Sequence, residues 1–325
     1  MKRRAILALG SGLLLPGRAL AQSVARIPRV GYLFSFARPQ GEHLWEACRQ
    51  GLRELGYVEG RNIIVEPRWA DGHHERMPSL VAELVALKAE VIVAAATPAA
   101  LAAKAGAGRI PVVLVAVSDP SRIGLVKSLA RPGGYITGLS LLTPELSGKR
   151  LSMLVEVMRQ IRRAVVLSNP DNSSHAVFLE ETLSAAKAIG IQVHVLNVRN
   201  SGEIARAFEE AAREGAQAGI VFDDPVLWGL RKQMVALAAR ARLPVMYGYS
   251  EFVDEGGLIS YGPYRPDLYR RTAIYVDKIL KGAYPGDLPI ERPVRFELHV
   301  NLAAARALGV AVPQSLLLRA DRVIE

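Results

Sequence analysis

Residues 89–120, AEVIVAAATPAALAAKAGAGRIPVVLVAVSDP, decide how this chain is read. Residues 91–96 are a continuous apolar run of strand length, and Thr97-Pro98 closes it with a helix-start signal. An alanine-rich helix follows, Pro111 breaks it, and a second apolar run ends on Ser118-Asp119-Pro120. Runs without polar alternation mark strands buried on both faces, and the helix between them is the crossover that parallel neighbours require. The same unit is written again within residues 216–250. There the run 218–222 stops at Asp223-Asp224-Pro225, a helix follows, and Leu243-Pro244-Val245 opens a strand that ends near Tyr247. Two copies of strand, polar turn, helix and strand predict two similar α/β lobes with doubly wound parallel sheets. Each copy puts polar residues at strand ends, where open parallel sheets bind ligands, so the pattern predicts a two-lobed small-molecule binder.

Working outward, residues 29–34 and 62–67 read as strands, and 43–56 and 77–88 as amphipathic helices. Downstream, 124–130 reads as a short helix, 131–134 as a turn, 136–140 as a strand and 144–158 as a helix. The pattern then restarts with a strand at 164–168, a helix at 176–189, a strand at 192–198 and a helix at 203–214. After Gly256 come a strand (257–261), a helix (267–281), a strand (295–300) and a helix (302–308) that add to lobes already built. A chain that revisits both lobes has several interdomain connections, which suits hinge closure over a ligand.

The N-terminus carries a different message. Lys2-Arg3-Arg4 is a basic start, residues 5–15 are an apolar run too short to span a bilayer, and Ala19-Leu20-Ala21 is a small-x-small cleavage site. Residues 1–21 therefore read as a signal peptide cleaved before Gln22, by the Sec or the twin-arginine route, and the mature protein is expected in the periplasm. The formal charge of +10 falls to +6 when Lys2, Arg3, Arg4 and Arg18 leave with the leader. No dense basic block with interleaved aromatics accompanies that excess, which argues against nucleic acid. The single cysteine, Cys48, can form no internal disulfide and shares a helical stripe with Leu44, Leu52 and Leu55, the pattern of a core residue.

The strand-end turns carry the chemistry. Thr97-Pro98, Ser118-Asp119-Pro120 and Asn172-Ser173 sit where helices begin, and free backbone N–H groups there favour a carboxylate. The same residue types cap helices with no ligand present; their recurrence after several strands is what points to a cleft. Asp119, Asp224 and Glu251 could meet an ammonium group. Tyr32, Phe34, Tyr247, Tyr249 and Tyr261 could cover a flat apolar body, while Trp45 and Trp228 read as helix packing residues. There is no GxSxG elbow, no GxxxxGK[ST] loop and no GxGxxG after the first strand. His73-His74 lack the i, i+4 spacing of a helical metal site. No catalytic residue, cofactor or metal is expected.

Several longer stretches resemble a known family. They are GLRELGYVEGRNIIVE (51–66), ATPAA (96–100), PVVLVAVSDP (111–120), GLVKSLARPGGYITGLS (124–140), GGLISYG (256–262) and HVNLAAARALGVAVPQSLLLRADRVIE (299–325). In this order they resemble the type I substrate-binding proteins of ABC transporters, in particular the branch associated with tryptophan or tyrosine uptake. The resemblance implies two Rossmann-like lobes joined by three crossovers, a small-molecule ligand in the cleft, and a membrane permease and ATPase as partners of a monomer. It divides the chain into an N-terminal lobe, 22–141 plus 263–292, and a C-terminal lobe, 142–262 plus 293–325. By position it puts Ser35, Thr97, Ser118, Asp119, Ser140, Asn172, Ser173, Asp224 and Tyr261 at the cleft. Two other readings stay open: an exported enzyme with two Rossmann-like lobes, such as a glycosyltransferase, and a ligand-binding sensor module.

Overall fold

The computed structural model describes residues 26–141, 143–158 and 160–325. The expected signal peptide, residues 1–21, lies outside the described residues. The first sheet holds β1 (Arg29–Phe34), β2 (Ile64–Trp69), β3 (Val91–Ala95), β4 (Val112–Val117) and β5 (Ile136–Ser140). All neighbours are parallel, in the order β2-β1-β3-β4-β5. Helices α1 (Arg38–Glu54), α2 (Met77–Ala86) and α3 (Thr97–Gly106) are the crossovers. Every residue of β3 and β4 is buried, as their unbroken apolar runs require.

Helix α4 (Thr143–Val157) leads into the second lobe. There follow β6 (Arg163–Ser168), α5 (Ser174–Ala188), β7 (Gln192–Asn197), α6 (Ser201–Arg213) and β8 (Ala218–Val221), then α7 (Pro225–Gly229), α8 (Arg231–Arg240), β9 (Val245–Tyr247), α9 (Glu251–Asp254) and β10 (Ile259–Pro263). The order β7-β6-β8-β9-β10 repeats β2-β1-β3-β4-β5 strand for strand. The chain then revisits both sheets. Helix α10 (Arg265–Leu280) packs on α1 and β4, and Glu291 bridges Leu139 of β5. Strand β11 (Phe296–Asn301) adds antiparallel to β10; α11 (Leu302–Leu308), α12 (Gln314–Leu317) and β12 (Arg322–Ile324) complete the second sheet.

Packing follows from the stripes. Leu44, Trp45, Cys48 and Leu52 of α1 are buried against the first sheet and α10. Gly51 lets the two helices touch: a Cβ there would lie 2.0 Å from the carbonyl oxygen of Arg270. Burial pushes the Cys48 thiol up to about 12, which keeps it protonated and inert.

Three expectations need correction. Helix α1 begins at Arg38, not His43, because Pro39 pre-sets the first turn and Gln40 Oε1 accepts the Ala37 N–H at 3.4 Å. Strand β2 starts at Ile64, since the Asn62 amide closes the preceding turn with the Val58 N–H and the Gly56 carbonyl. Residues 124–130 form no helix. Leu125 N–H and Val126 N–H both donate to the Pro120 carbonyl, so successive tight turns replace an i→i−4 ladder.

Candidate ligand-binding cleft

The C-terminal strand ends of the two sheets face each other, and each jaw is built by the same unit. In the first lobe Ser35 follows β1 and is fully buried. Its hydroxyl donates to the Ala95 carbonyl at 2.9 Å and accepts the Ala99 N–H at 3.2 Å, tying β1 to the turn between β3 and α3. That turn carries local strain, because Ala96 sits at φ 71°, a region costly for a residue with a Cβ. A bulge at Ala116, φ 56°, shifts the register of β4 against β5 just before Ser118. Ser118 is buried, and its Oγ has no partner among the described residues.

In the second lobe Asn169 follows β6 and Asp223-Asp224 follow β8. Asp224 caps α7: its Oδ1 accepts the N–H groups of Val226 and Leu227 at 2.8 and 2.9 Å. The Nδ2 groups of Asn169 and Asn172 also donate to its carboxylate. Asp223 does something different. Its Oδ2 pairs with the Arg150 guanidinium of α4 at 2.9 Å, both side chains buried, while its Oδ1 is buried with no partner among the described residues. Gly248, after β9, makes room for it, since a Cβ there would fall 1.5 Å from that Oδ1. Arg150 Nε donates to the Tyr261 carbonyl at 2.8 Å, which fixes the guanidinium against β10.

The jaws meet at several points. Ser174 Oγ donates to Thr97 Oγ1 at 2.9 Å, joining the first turns of α5 and α3. Trp228 of α7 packs edge-on against Phe36 of the first lobe at 5.1 Å. Its indole Nε1 is buried without a partner among the described residues. The Arg265 guanidinium lies 4.2 Å from the Trp228 ring and 3.9 Å from the Tyr249 ring, and pairs with Glu251. Glu251 also reaches His43 of α1 at 3.2 Å. Burial alone would push the Glu251 carboxyl up, yet the Arg265 charge and the His43 bond bring it down to about 2. Nearer the surface, Arg122 of the first lobe pairs with Glu180 and Glu181 of α5 at 2.7 and 2.6 Å.

The structure brings Ser35, Thr97, Ser118, Asn172 and Asp224 to the facing strand ends, and Glu251 to the closing contact. Ser140 ends β5 and donates to the Glu291 carbonyl at 3.3 Å. Asp119 is half-buried and spends Oδ1 on its own turn, accepting from the Ser121 N–H, the Ser121 hydroxyl and the Arg122 N–H. Ser173 is exposed; its neighbour Ser174 is the residue that crosses the cleft. Two tyrosines point elsewhere. Tyr247 stacks on Phe252 at 4.5 Å and lines an apolar groove with Val235 and Ala238, and Tyr261 takes a bond from Lys149 Nζ and stacks on Phe296. Sequence reasoning missed Arg150, Asn169, Asp223, Ser174 and Arg265, and read Trp228 as packing alone. The repeat offered a signal for two of them, because Asp223 and Asn169 occupy the positions of Ala96 and Ser35 in the first copy.

Comparison with known proteins gives these residues a context. A family model described as ABC transporter substrate binding protein matches residues 40–324. A tyrosine-binding protein of Clostridioides difficile strain R20291 is 24% identical over 262 residues, covering 80% of this chain and 75% of its own. A solved conserved domain protein from Vibrio cholerae superposes with a TM-score of 0.87 at 27% identity, over 92% of this chain and 100% of its own. A Streptococcus pneumonia ABC domain in complex with L-Trp gives 0.84 at 24% identity, over 91% and 99%. A ligand-free, open substrate-binding protein with adhesive properties from Clostridium difficile gives 0.67 at 23%, over 92% and 99%.

Proposed function

We propose that this chain, which belongs to the family of ABC transporter substrate-binding proteins, captures a free α-amino acid between its lobes and delivers it to the importer. One observation carries the ligand class: three buried polar atoms on the facing jaws, Ser118 Oγ, Asp223 Oδ1 and Trp228 Nε1, have no partner among the described residues. Buried polar atoms are paired in all but a few cases, and the place of these three on the facing jaws supports reading them as groups that meet a ligand. Asp223 Oδ1 is the acceptor on the side of the carboxyl group that Arg150 does not occupy, which suits an ammonium. Ser118 and Trp228 supply donors, which suit a carboxylate or a ring substituent. Both kinds of group together match a zwitterion. The rings of Phe36, Trp228 and Tyr249 favour an aromatic or large apolar side chain.

The L-Trp complex and the tyrosine-binding relative support this reading. So do the contacts across the cleft, which describe jaws already closed on each other, and the higher TM-score against the L-Trp complex than against the open, ligand-free relative. The division at 22–141 plus 263–292 and 142–262 plus 293–325 places α10 with the first sheet and β11 to β12 with the second. The mature protein is a periplasmic monomer cleaved before Gln22, and it leaves its ligand chemically unchanged. No helix among the described residues is long and apolar enough to cross a membrane.

The test is native mass spectrometry of the protein purified from an exporting host, followed by identification of what denaturation releases. An amino acid in one-to-one ratio is the expected result. A sugar nucleotide, or conversion of the released compound by fresh protein, would favour the enzyme reading instead.

A further inference from the structure

Beneath the second jaw lies a histidine that the proposed ligand contacts leave unused. His175, in the first turn of α5, is 3% exposed, and its ring meets three polar partners. The Asn169 N–H lies 2.9 Å from Nδ1 and the Ser168 hydroxyl 3.0 Å from the same atom. The Asp223 carbonyl lies 3.3 Å from Nε2. A backbone N–H can only donate and a carbonyl can only accept, so Nδ1 is the bare nitrogen and Nε2 carries the proton. The ring thus ties the loop after β6 to the loop after β8. Those loops hold Asn169, Asn172, Asp223 and Asp224, and Ser174, next to the ring, bonds Thr97 across the cleft.

We infer that His175, as the neutral Nε2–H tautomer, is the positioning residue of the second jaw, and that protonating it at Nδ1 loosens the jaw and lowers ligand affinity. The inference rests on the binding function proposed above. A proton on Nδ1 would face the Asn169 N–H donor to donor, and that bond would be lost. The charged groups around the ring are Asp223, already paired with Arg150, and Asp224, already capping α7. Phe178 and Phe222 enclose the rest of it with ring centroids 5.5 and 5.3 Å away. Burial among these rings holds the imidazole below its ordinary value in spite of the two carboxylates, so it is neutral at pH 7.

Two variants separate position from bulk. His175→Asn keeps an acceptor near Nδ1 and does not titrate, whereas His175→Leu keeps volume without an acceptor. L-tryptophan and L-tyrosine serve as probes, titrated calorimetrically at pH 7.5 and pH 4.5, and hydrogen exchange of the Asn169 amide is followed at both pH values in ligand-free protein. Wild type is expected to lose about fivefold or more in affinity on acidification, the worth of roughly one hydrogen bond. The Asn variant is expected to show a clearly smaller ratio, and the Leu variant to bind weakly at both pH values. Equal pH ratios in wild type and His175→Asn overturn the inference. Where neither probe binds wild type at pH 7.5, the ligand proposal fails and the exchange data decide alone. Acid-induced loss of Asn169 protection in wild type but not in His175→Asn supports the positioning role, and equal loss in both overturns it.

Discussion

At the scale of single residues, Asp223 and Arg150 set the terms. Both side chains are buried, and they pair across 73 positions of sequence. Removing one partner strands a charge in a low-dielectric site, a loss of about 3–5 kcal/mol, whereas replacing both by apolar groups is nearly neutral. Arg150→Met is therefore expected to lower unfolding free energy by about that amount in urea titrations, and Arg150→Met with Asp223→Leu to recover much of it. A double variant as unstable as the single one would contradict the pairing. Gly248 is the second residue to test. Any Cβ there collides with Asp223 Oδ1 and crowds Arg150 Nη2 at 2.6 Å, so Gly248→Ala is expected to abolish ligand binding measured by calorimetry while leaving the far-UV spectrum unchanged.

At the scale of elements, α9 is clasped by α10 and α1 through Glu251. Its carboxyl titrates at about 2 in the folded chain against an ordinary 4.5. As pH falls below 4.5 the unfolded chain takes up this proton first, so the stability that Glu251 contributes is complete above 4.5 and is lost between 4.5 and 2. The difference amounts to about 3 kcal/mol. Glu251→Gln should narrow the gap between wild-type and variant stability as urea titrations move from pH 6 to pH 3. A gap that stays constant would show that the clasp does not depend on that charge.

Elements were also the scale at which the chain was most legible. Unbroken apolar runs bounded by Pro98, Pro111 and Pro244 left little choice but buried parallel strands, and β1, β3 and α11 lie within a residue of their expected bounds. The side chains of the cleft were less legible for physical reasons. Ser173 and Ser174 both suit a helix start, and only the angle of α5 decides which one crosses to Thr97. Tyr247 ends β9 and Tyr261 lies in the middle of β10, two residues before an end that the sequence does not mark, and strand pleating turns both rings away from the jaws. Trp228 sits on a helix of five residues, too short to show which side faces the opposing lobe. Arg150 and Asp223 become partners only when α4 packs beside β8, which no local pattern records.

At the scale of the molecule, the repeated strand order explains the cleft. Each half orders its sheet so that the crevice lies between the first and third strands of the unit, β1 and β3 or β6 and β8, and the halves present these crevices to each other. Arg122 with Glu180 and Glu181 closes the rim, but exposed ion pairs are worth at most about 1 kcal/mol. Arg122→Ala should then weaken ligand binding by no more than about fivefold, mostly through faster release in stopped-flow traces. A larger loss would place the binding energy at the rim instead of the floor.

The floor is tested most directly by calorimetric titration of L-tryptophan and L-tyrosine into the mature wild-type protein and into Asp223→Asn. Wild type should bind at least one of them with one-to-one stoichiometry, and the variant should bind it about tenfold or more weaker, the loss of a charge-assisted hydrogen bond. Equal affinity in the two proteins, or no heat with either amino acid in wild type, would contradict an amino-acid cleft built on Asp223.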